Sequence, residues 1–206
     1  MSEERQQDSA WVRVATRLSP TELVAFCQDV ERLLRINSMY EFEEWRNEGK
    51  SRYFMRACNL SNGHVIETPI RAEPRSEGMR IVYEAGLKAA TEFRIEPPGG
   101  LDDRADPSAG AVLVVVDDYS GTPEGERRAR ASEIDRSLVT WGHDLHRFLR
   151  HWVRWSRFGP WRWYMCKVWQ PMKPVARRIT FGLIAITMFE VVVGTLVLAV
   201  FAYGWR

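Results

Sequence analysis

The chain is poor in cysteine, with three thiols, Cys27, Cys58 and Cys166, standing far apart and no C-x-x-C pair. An odd, scattered set excludes a disulfide framework and a zinc cage, so these are expected to be inert, reduced thiols. The local signatures of catalysis are missing as well. No G-x-S-x-G elbow, no H-E-x-x-H helix and no glycine-rich phosphate loop occurs, which leaves acyl hydrolysis, zinc proteolysis and nucleotide chemistry without their usual machinery. His143 and His146 are neighbours on a helical face, but no carboxylate or cysteine on that face completes a ligand set, so no metal, no cofactor and no catalytic residue is assigned. Asp117-Asp118 ends an apolar strand and is read as a sheet-edge or turn feature rather than as an acid/base pair. Residues 1–9 are polar and acidic with no apolar run, so no secretory leader is expected there, only a disordered tail.

Long apolar runs are equally scarce, with one exception. From Phe181 to Tyr203 a single charge, Glu190, interrupts apolar and small residues, and a helix of about 20 such residues crosses the hydrocarbon core. A buried core helix would need packing on every side, and the preceding chain makes only one ordinary domain. The segment 179–205 is therefore predicted to be a transmembrane helix, making this a tail-anchored protein. Lys167, Lys173, Arg177 and Arg178 precede the span and only Arg206 follows it, so the N-terminal domain is expected on the cytoplasmic side, at the inner membrane if the cell is bacterial.

The net charge of +2 hides a division. Residues 1–135 hold 18 Lys and Arg against 25 Asp and Glu, whereas residues 136–178 hold 10 against one, Asp144. A basic block next to a span points to the anionic headgroups of a leaflet rather than to nucleic acid.

Along the soluble part, Trp11–Arg17 alternates with a strand period, and Ser19-Pro20-Thr21-Glu22 predicts a capped helix start, with a break near Asp29 making two short helices that end near Asn37. Six strand patterns follow over 39–45, 52–60, 64–72, 79–85, 89–95 and 111–119, separated by turn residues, as successive antiparallel hairpins. Residues 97–110 read as a long exposed loop and 121–130 as a charged connection. From an N-cap at Ser132, with Glu133 and Asp135 in the first turn, a helix is predicted to about Arg157. Its residues Leu138, Trp141, Leu145, Phe148, Trp152 and Trp155 make one apolar stripe, and His143, Arg147, Arg150, Arg154 and Arg157 a basic one. After Gly159-Pro160, the tryptophans Trp161, Trp163 and Trp169 interleave with basic residues, so 158–178 is read as a membrane-interface segment in which Pro171 and Pro174 interrupt the helix.

The order is thus an opening strand, a helical pair, six antiparallel strands and a long aromatic helix. Three features carry a likeness: Ser19-Pro20 directly after the first strand, Asp29–Leu34 leading into Met39–Phe42, and the pairing of Glu92–Pro97 with Ala111–Tyr119. This layout over residues 10–157 resembles the START-like, or SRPBCC, superfamily of helix-grip domains, which includes lipid-transfer and polyketide cyclase proteins. The resemblance implies an α+β fold, a curved antiparallel sheet gripping the last helix, with an apolar cavity between them for a lipid, isoprenoid or polyketide, and a lipid, quinone or isoprenoid is the ligand expected here. It carries over no catalytic residue. Facing such a cavity, Trp141, Leu145, Phe148 and Trp152 are the expected ligand-binding residues, although a stripe of this kind also serves as plain core.

The expected partners are then a hydrophobic small molecule and the lipids of an anionic leaflet. The leaflet would be met by Arg147, Arg150, Arg154, Arg157, Trp161, Trp163, Trp169, Lys173, Arg177 and Arg178. Glu190, unfavourable in hydrocarbon by about 2.5–3.5 kcal/mol when charged, is expected to contact another transmembrane subunit or a second copy of the chain. Three functions remain open: a non-enzymatic carrier with an open apolar cavity, an accessory subunit of a membrane complex with a filled one, and a cyclase-like enzyme with polar groups converging inside.

Overall fold

Alternation of apolar and polar residues resolves into seven strands in the computed structural model, which describes residues 9–97, 110–129 and 131–204. They are β1 (Ser9–Ala15), β2 (Tyr40–Gly49), β3 (Arg52–Asn59), β4 (Val65–Arg75), β5 (Gly78–Tyr83), β6 (Ala90–Glu96) and β7 (Val112–Asp118). All pair antiparallel in one curved sheet of order β1-β7-β6-β5-β4-β3-β2. Each strand from β2 to β7 lies beside its neighbour in sequence, as hairpins require, and β1 closes the far edge on β7 with Val12 opposite Val115. Register shifts in the β2–β3 pair, between Phe42 and Glu44 and again between Asn47 and Gly49, are bulges of the kind that bend a sheet. At the start of β5 a glycine is obligatory: Gly78 has φ 145°, and a Cβ there would lie 1.8 Å from the Phe93 carbonyl oxygen.

The two predicted short helices are α1 (Pro20–Cys27) and α2 (Val30–Arg35). The Glu22 amide donates to Ser19 Oγ at 3.3 Å while the Ser19 amide donates to Glu22 Oε2 at 2.9 Å, a reciprocal capping box with proline at the first helical position. Asp29 ends the first helix and caps the second, accepting from the Arg32 amide at 3.0 Å. A short helix absent from the sequence reading, α3 (Glu124–Ala129), lies in the charged connection. The long helix α4 spans Ala131–Trp155; the cap expected at Ser132, with Glu133 and Asp135, falls outside the described side chains. The tail at 1–8 and most of the loop at 97–110 also lie outside the described residues.

Leu138, Trp141, Leu145, Phe148 and Leu149 of α4 are buried against the sheet, whose inner face contributes Val14, Ile81, Phe93, Leu113 and Val115. Burying each such aliphatic side chain contributes about 1.5–3 kcal/mol. Helix and sheet close tightly at Gly142, where a Cβ would stand 2.6 Å from Val12 Cγ2. The architecture is the helix-grip one.

The first of two compact units runs to Gln170, past the expected domain end at 157, because the aromatic segment folds back onto the domain. Helix α5 (Gly159–Tyr164) and a π-helical stretch, Met165–Trp169, bring Trp161 to 5.8 Å from Trp152 and Trp169 to 5.4 Å from Phe148, ring centre to ring centre. The second unit, Pro171–Arg206, contains α6 (Pro174–Gly204). Within Pro174–Tyr203 its most apolar stretch has a mean hydropathy of 2.5 and none of that stretch is buried, so the helix is long and apolar enough to cross a membrane. It begins a few residues earlier than 179 because Pro174 is well tolerated in a first helical turn.

Candidate functional site

The feature most like a site is a cavity of about 300 Å³ beneath the first half of α4. Its apolar wall includes Leu34, Phe42, Met55, Ile66 and Trp141. It opens between two hairpin turns, where Asn62, His64, Val65, Ala85 and Gly86 are exposed. Trp141 is fixed from behind, its indole N–H donating to the Leu33 carbonyl at 3.2 Å and its ring meeting Phe93 edge-on at 5.5 Å. One turn further on, Asp144 accepts from the Ser38 amide at 2.9 Å, which ties α4 to the segment after α2. This wall is preorganised.

The opposite wall is polar. Lys88, between β5 and β6, lines the cavity with Tyr40, Tyr83 and Tyr119. Behind them lies Asp117, fully buried, which accepts from Lys88 Nζ at 2.5 Å, from Thr91 Oγ1 at 2.5 Å and from the Tyr119 hydroxyl at 3.3 Å. Tyr83 and Thr91 share a further hydrogen bond of 3.2 Å. Because the Thr91 proton is committed to Asp117, Tyr83 is the donor in that bond. The Lys88 ammonium also stands 5.4 Å above the Trp141 ring, within cation–π range.

Burial works to lower the pKa of Lys88, but Asp117 and the surrounding tyrosines outweigh it and hold the ammonium well above its ordinary value. Burial likewise pushes the Tyr83 phenol up to about 12 and raises that of Tyr119 further. At neutral pH the wall therefore consists of an ammonium and two neutral phenols. Asn37, 1% exposed, adds an amide whose oxygen accepts from the Met39 amide at 3.0 Å while its Nδ2 has no partner. A buried unpaired donor is unfavourable by about 1–3 kcal/mol.

Of the four expected ligand residues, Trp141 lines this cavity. Leu145, Phe148 and Trp152 lie elsewhere: Leu145 is completely buried in the core, and Phe148 stacks on Trp152 at 5.7 Å with Phe26 beside both. Arg32 closes that cluster, its guanidinium 4.4 Å from the Phe26 ring centre and 4.8 Å from that of Trp152. Arg147, Arg150 and Arg154 are exposed along α4, and Arg157 is exposed just past its end. Among the expected interface tryptophans, Trp163 is 63% exposed, whereas Trp161 and Trp169 are half-buried. In the second unit, Lys173 and Arg178 are exposed and Arg177 is half-buried, and Glu190 is exposed on α6. His143 is exposed, and His146 Nδ1 lies 3.2 Å from the Ala15 carbonyl oxygen.

The polar wall escaped the sequence reading. From its place at the end of an apolar strand Asp117 reads as a sheet-edge or turn feature, yet it continues the inward series Leu113 and Val115, all three fully buried. Tyr40 with Phe42, and Tyr83 with Ile81, obey the same alternation. Strand parity was the available signal for those three. Lys88 in a hairpin and Asn37 after a helix carry no periodic signal at all.

No protein-family model matches this chain, and no curated protein matches it. Among solved structures it is similar to the Zhui aromatase/cyclase of a Streptomyces species, at 20% identity over 72% of this chain and 96% of that one, with a TM-score of 0.49. A Thermus thermophilus protein matches at 15% identity over 69% and 97% of the two chains, TM-score 0.47. A Deinococcus radiodurans protein matches at 16% over 69% and 95%, TM-score 0.46. These likenesses are of the domain's outline only and assign no role to any residue here.

Proposed function

We propose that this chain is a START-like, membrane-anchored binding domain that holds a hydrophobic small molecule in the cavity under α4. The observation that carries the proposal is the cavity itself. An unfilled space of 300 Å³ is at the lower end of the range for small-molecule sites, and a domain serving only as a docking body has no use for it. The mixed lining suits a ligand with an apolar body and one polar end, such as a quinone or an isoprenoid or acyl lipid with a functional head. Anchoring by α6 would keep the cavity in the neighbourhood of a bilayer from which such a molecule is drawn, and the exposed arginines of α4 favour an anionic, cytoplasmic leaflet.

Purification of the full chain from its native membrane in mild detergent, with native mass spectrometry and extraction of small molecules, tests this. One equivalent of an organic ligand per chain is expected. A ligand-free chain would overturn the carrier reading. A second reading, an accessory subunit of a membrane assembly, is favoured by Glu190 alone and predicts that the chain elutes empty within a larger complex.

A further inference from the structure

From the way the aromatic residues around the end of α4 divide between core and solvent, we infer that Trp155, Phe158 and Trp163 form a wedge that enters the headgroup layer of an anionic leaflet. The inference deepens the membrane-anchored reading and rests on it. Sequence alone gives Trp161, Trp163 and Trp169 one role, but the structure divides them. Trp161 meets Trp152, Trp169 meets Phe148, and Met165 and Trp169 pack against the core, so these residues hold the segment on the domain. Trp163 lies two residues beyond Trp161, about 200° around a helix, and faces away from that packing. It is 63% exposed, with Phe158 at 59% and Trp155 at 44%. The turn that presents them is fixed, because the Phe158 amide donates to the Trp155 carbonyl at 2.9 Å and the Arg162 amide to the Phe158 carbonyl at 3.0 Å.

A single exposed aromatic ring is ordinary, but three within nine residues of chain are not. Their surroundings choose the occupant. Arg154, Arg157, Arg162 and Lys167 are exposed in the same stretch, and no Asp or Glu occurs from 145 to 189, so the charge complements phosphatidylserine and other anionic headgroups. The Arg154 guanidinium stands 5.4 Å from the Trp155 ring centre. Such pairing of cation and ring suits the headgroup layer, where a tryptophan keeps its body in apolar surroundings and its polar edge in water. Only residues 171–173 separate this unit from the candidate span, so the leaflet that the span enters is the one within reach of the chain. The cavity lies beside Trp141, 14 residues and about 21 Å of helix before Trp155, so the wedge does not cover it.

The test uses the full chain in nanodiscs holding one chain each, with Cys58→Ser and Cys166→Ser in place and the buried Cys27 shielded from labelling. Nitroxide labels are attached through Phe158→Cys or Trp163→Cys, with Asn62→Cys as the aqueous reference and Leu196→Cys as the reference within the span. Collisions of each label with oxygen and with a water-soluble nickel chelate are compared. In discs containing phosphatidylserine, positions 158 and 163 are expected to show an oxygen-to-nickel ratio severalfold above that at 62, and in phosphatidylcholine alone the excess should fall. Replacing Arg154, Arg157, Arg162 and Lys167 by glutamine should abolish it, since losing four surface charges weakens docking by on the order of a thousandfold. Ratios at 158 and 163 equal to that at 62, with 196 high, would overturn the wedge and leave the anchor standing. A low ratio at 196 would overturn both. Labels at 158 and 163 shielded from both reagents would assign the face to a protein partner, and an excess independent of phosphatidylserine would remove the anionic leaflet; either result overturns the proposal.

Discussion

At the residue scale, the Lys88–Asp117 pair holds together the polar wall of the cavity. Removing one partner of a buried ion pair leaves an uncompensated charge, so Lys88→Met should lower stability by about 3–5 kcal/mol, read by chemical denaturation, whereas Lys88→Met/Asp117→Leu should recover most of that loss. An equal loss in both variants would mean the pair is not coupled. The same pair sets an alkaline limit. Lys88 and Tyr83 both have pKa values raised in the folded state, so between the unfolded and folded values the native state holds more protons than the unfolded one, and stability falls with rising pH. Their contribution is fully present at neutral pH and declines above about pH 10, where the unfolded groups begin to titrate. Urea midpoints measured from pH 7 to 11.5 should be flat and then fall. The Cys27 thiol, which burial pushes up to about 12, stays protonated and unreactive through most of that range.

At the element scale, β5 depends on one glycine and α4 on its two faces. Gly78→Ala forces a Cβ into the Phe93 carbonyl at a φ of 145°, a conformation side chains avoid. Loss of more than about 3 kcal/mol is expected by thermal denaturation, and because β6 leads into the polar wall, ligand binding should weaken with it. On the opposite face of α4 the exposed arginines make no contribution to the core. Replacing Arg147, Arg150, Arg154 and Arg157 by glutamine in a chain ending at Gln170 should leave the melting temperature within a few degrees. Sedimentation with phosphatidylserine vesicles should fall sharply, with the remaining binding less sensitive to salt. Undiminished vesicle binding would assign the stripe to another partner. Much of this scale was legible in the sequence. The strand and helix patterns, the capping box at Ser19 and the break at Asp29 are all set by neighbours a few positions away. Helix α3 and the helical run 159–169 were not, since a charged segment and a proline-bounded aromatic one carry no clean period.

At the scale of the whole molecule, the chain joins a domain that covers its own apolar surface to a helix that exposes its own. Glu190 on that helix is the residue on which the accessory-subunit reading rests. Glu190→Leu should dissolve any oligomer or complex seen by native mass spectrometry in mild detergent while leaving the domain's ligand in place, and an unchanged assembly would exclude Glu190 from the contact.

Local order determined the element list, the inward face of each strand, the apolar stripe of α4 and the candidate span, because periodicity and hydropathy are properties of adjacent residues. Only the tertiary structure decided what those elements enclose. Lys88 and Asp117 are 29 positions apart, and Asn37 and Trp141, from distant segments, line one cavity. Sequence favoured the stripe from Trp141 to Trp152 as the ligand surface, but Phe26, Arg32 and Trp169 pack around the end near Trp152, and the cavity beneath α4 lies beside Trp141. A cavity is volume that side chains from distant segments fail to fill, so it depends on how all of them pack together and has no counterpart in any single stretch of chain.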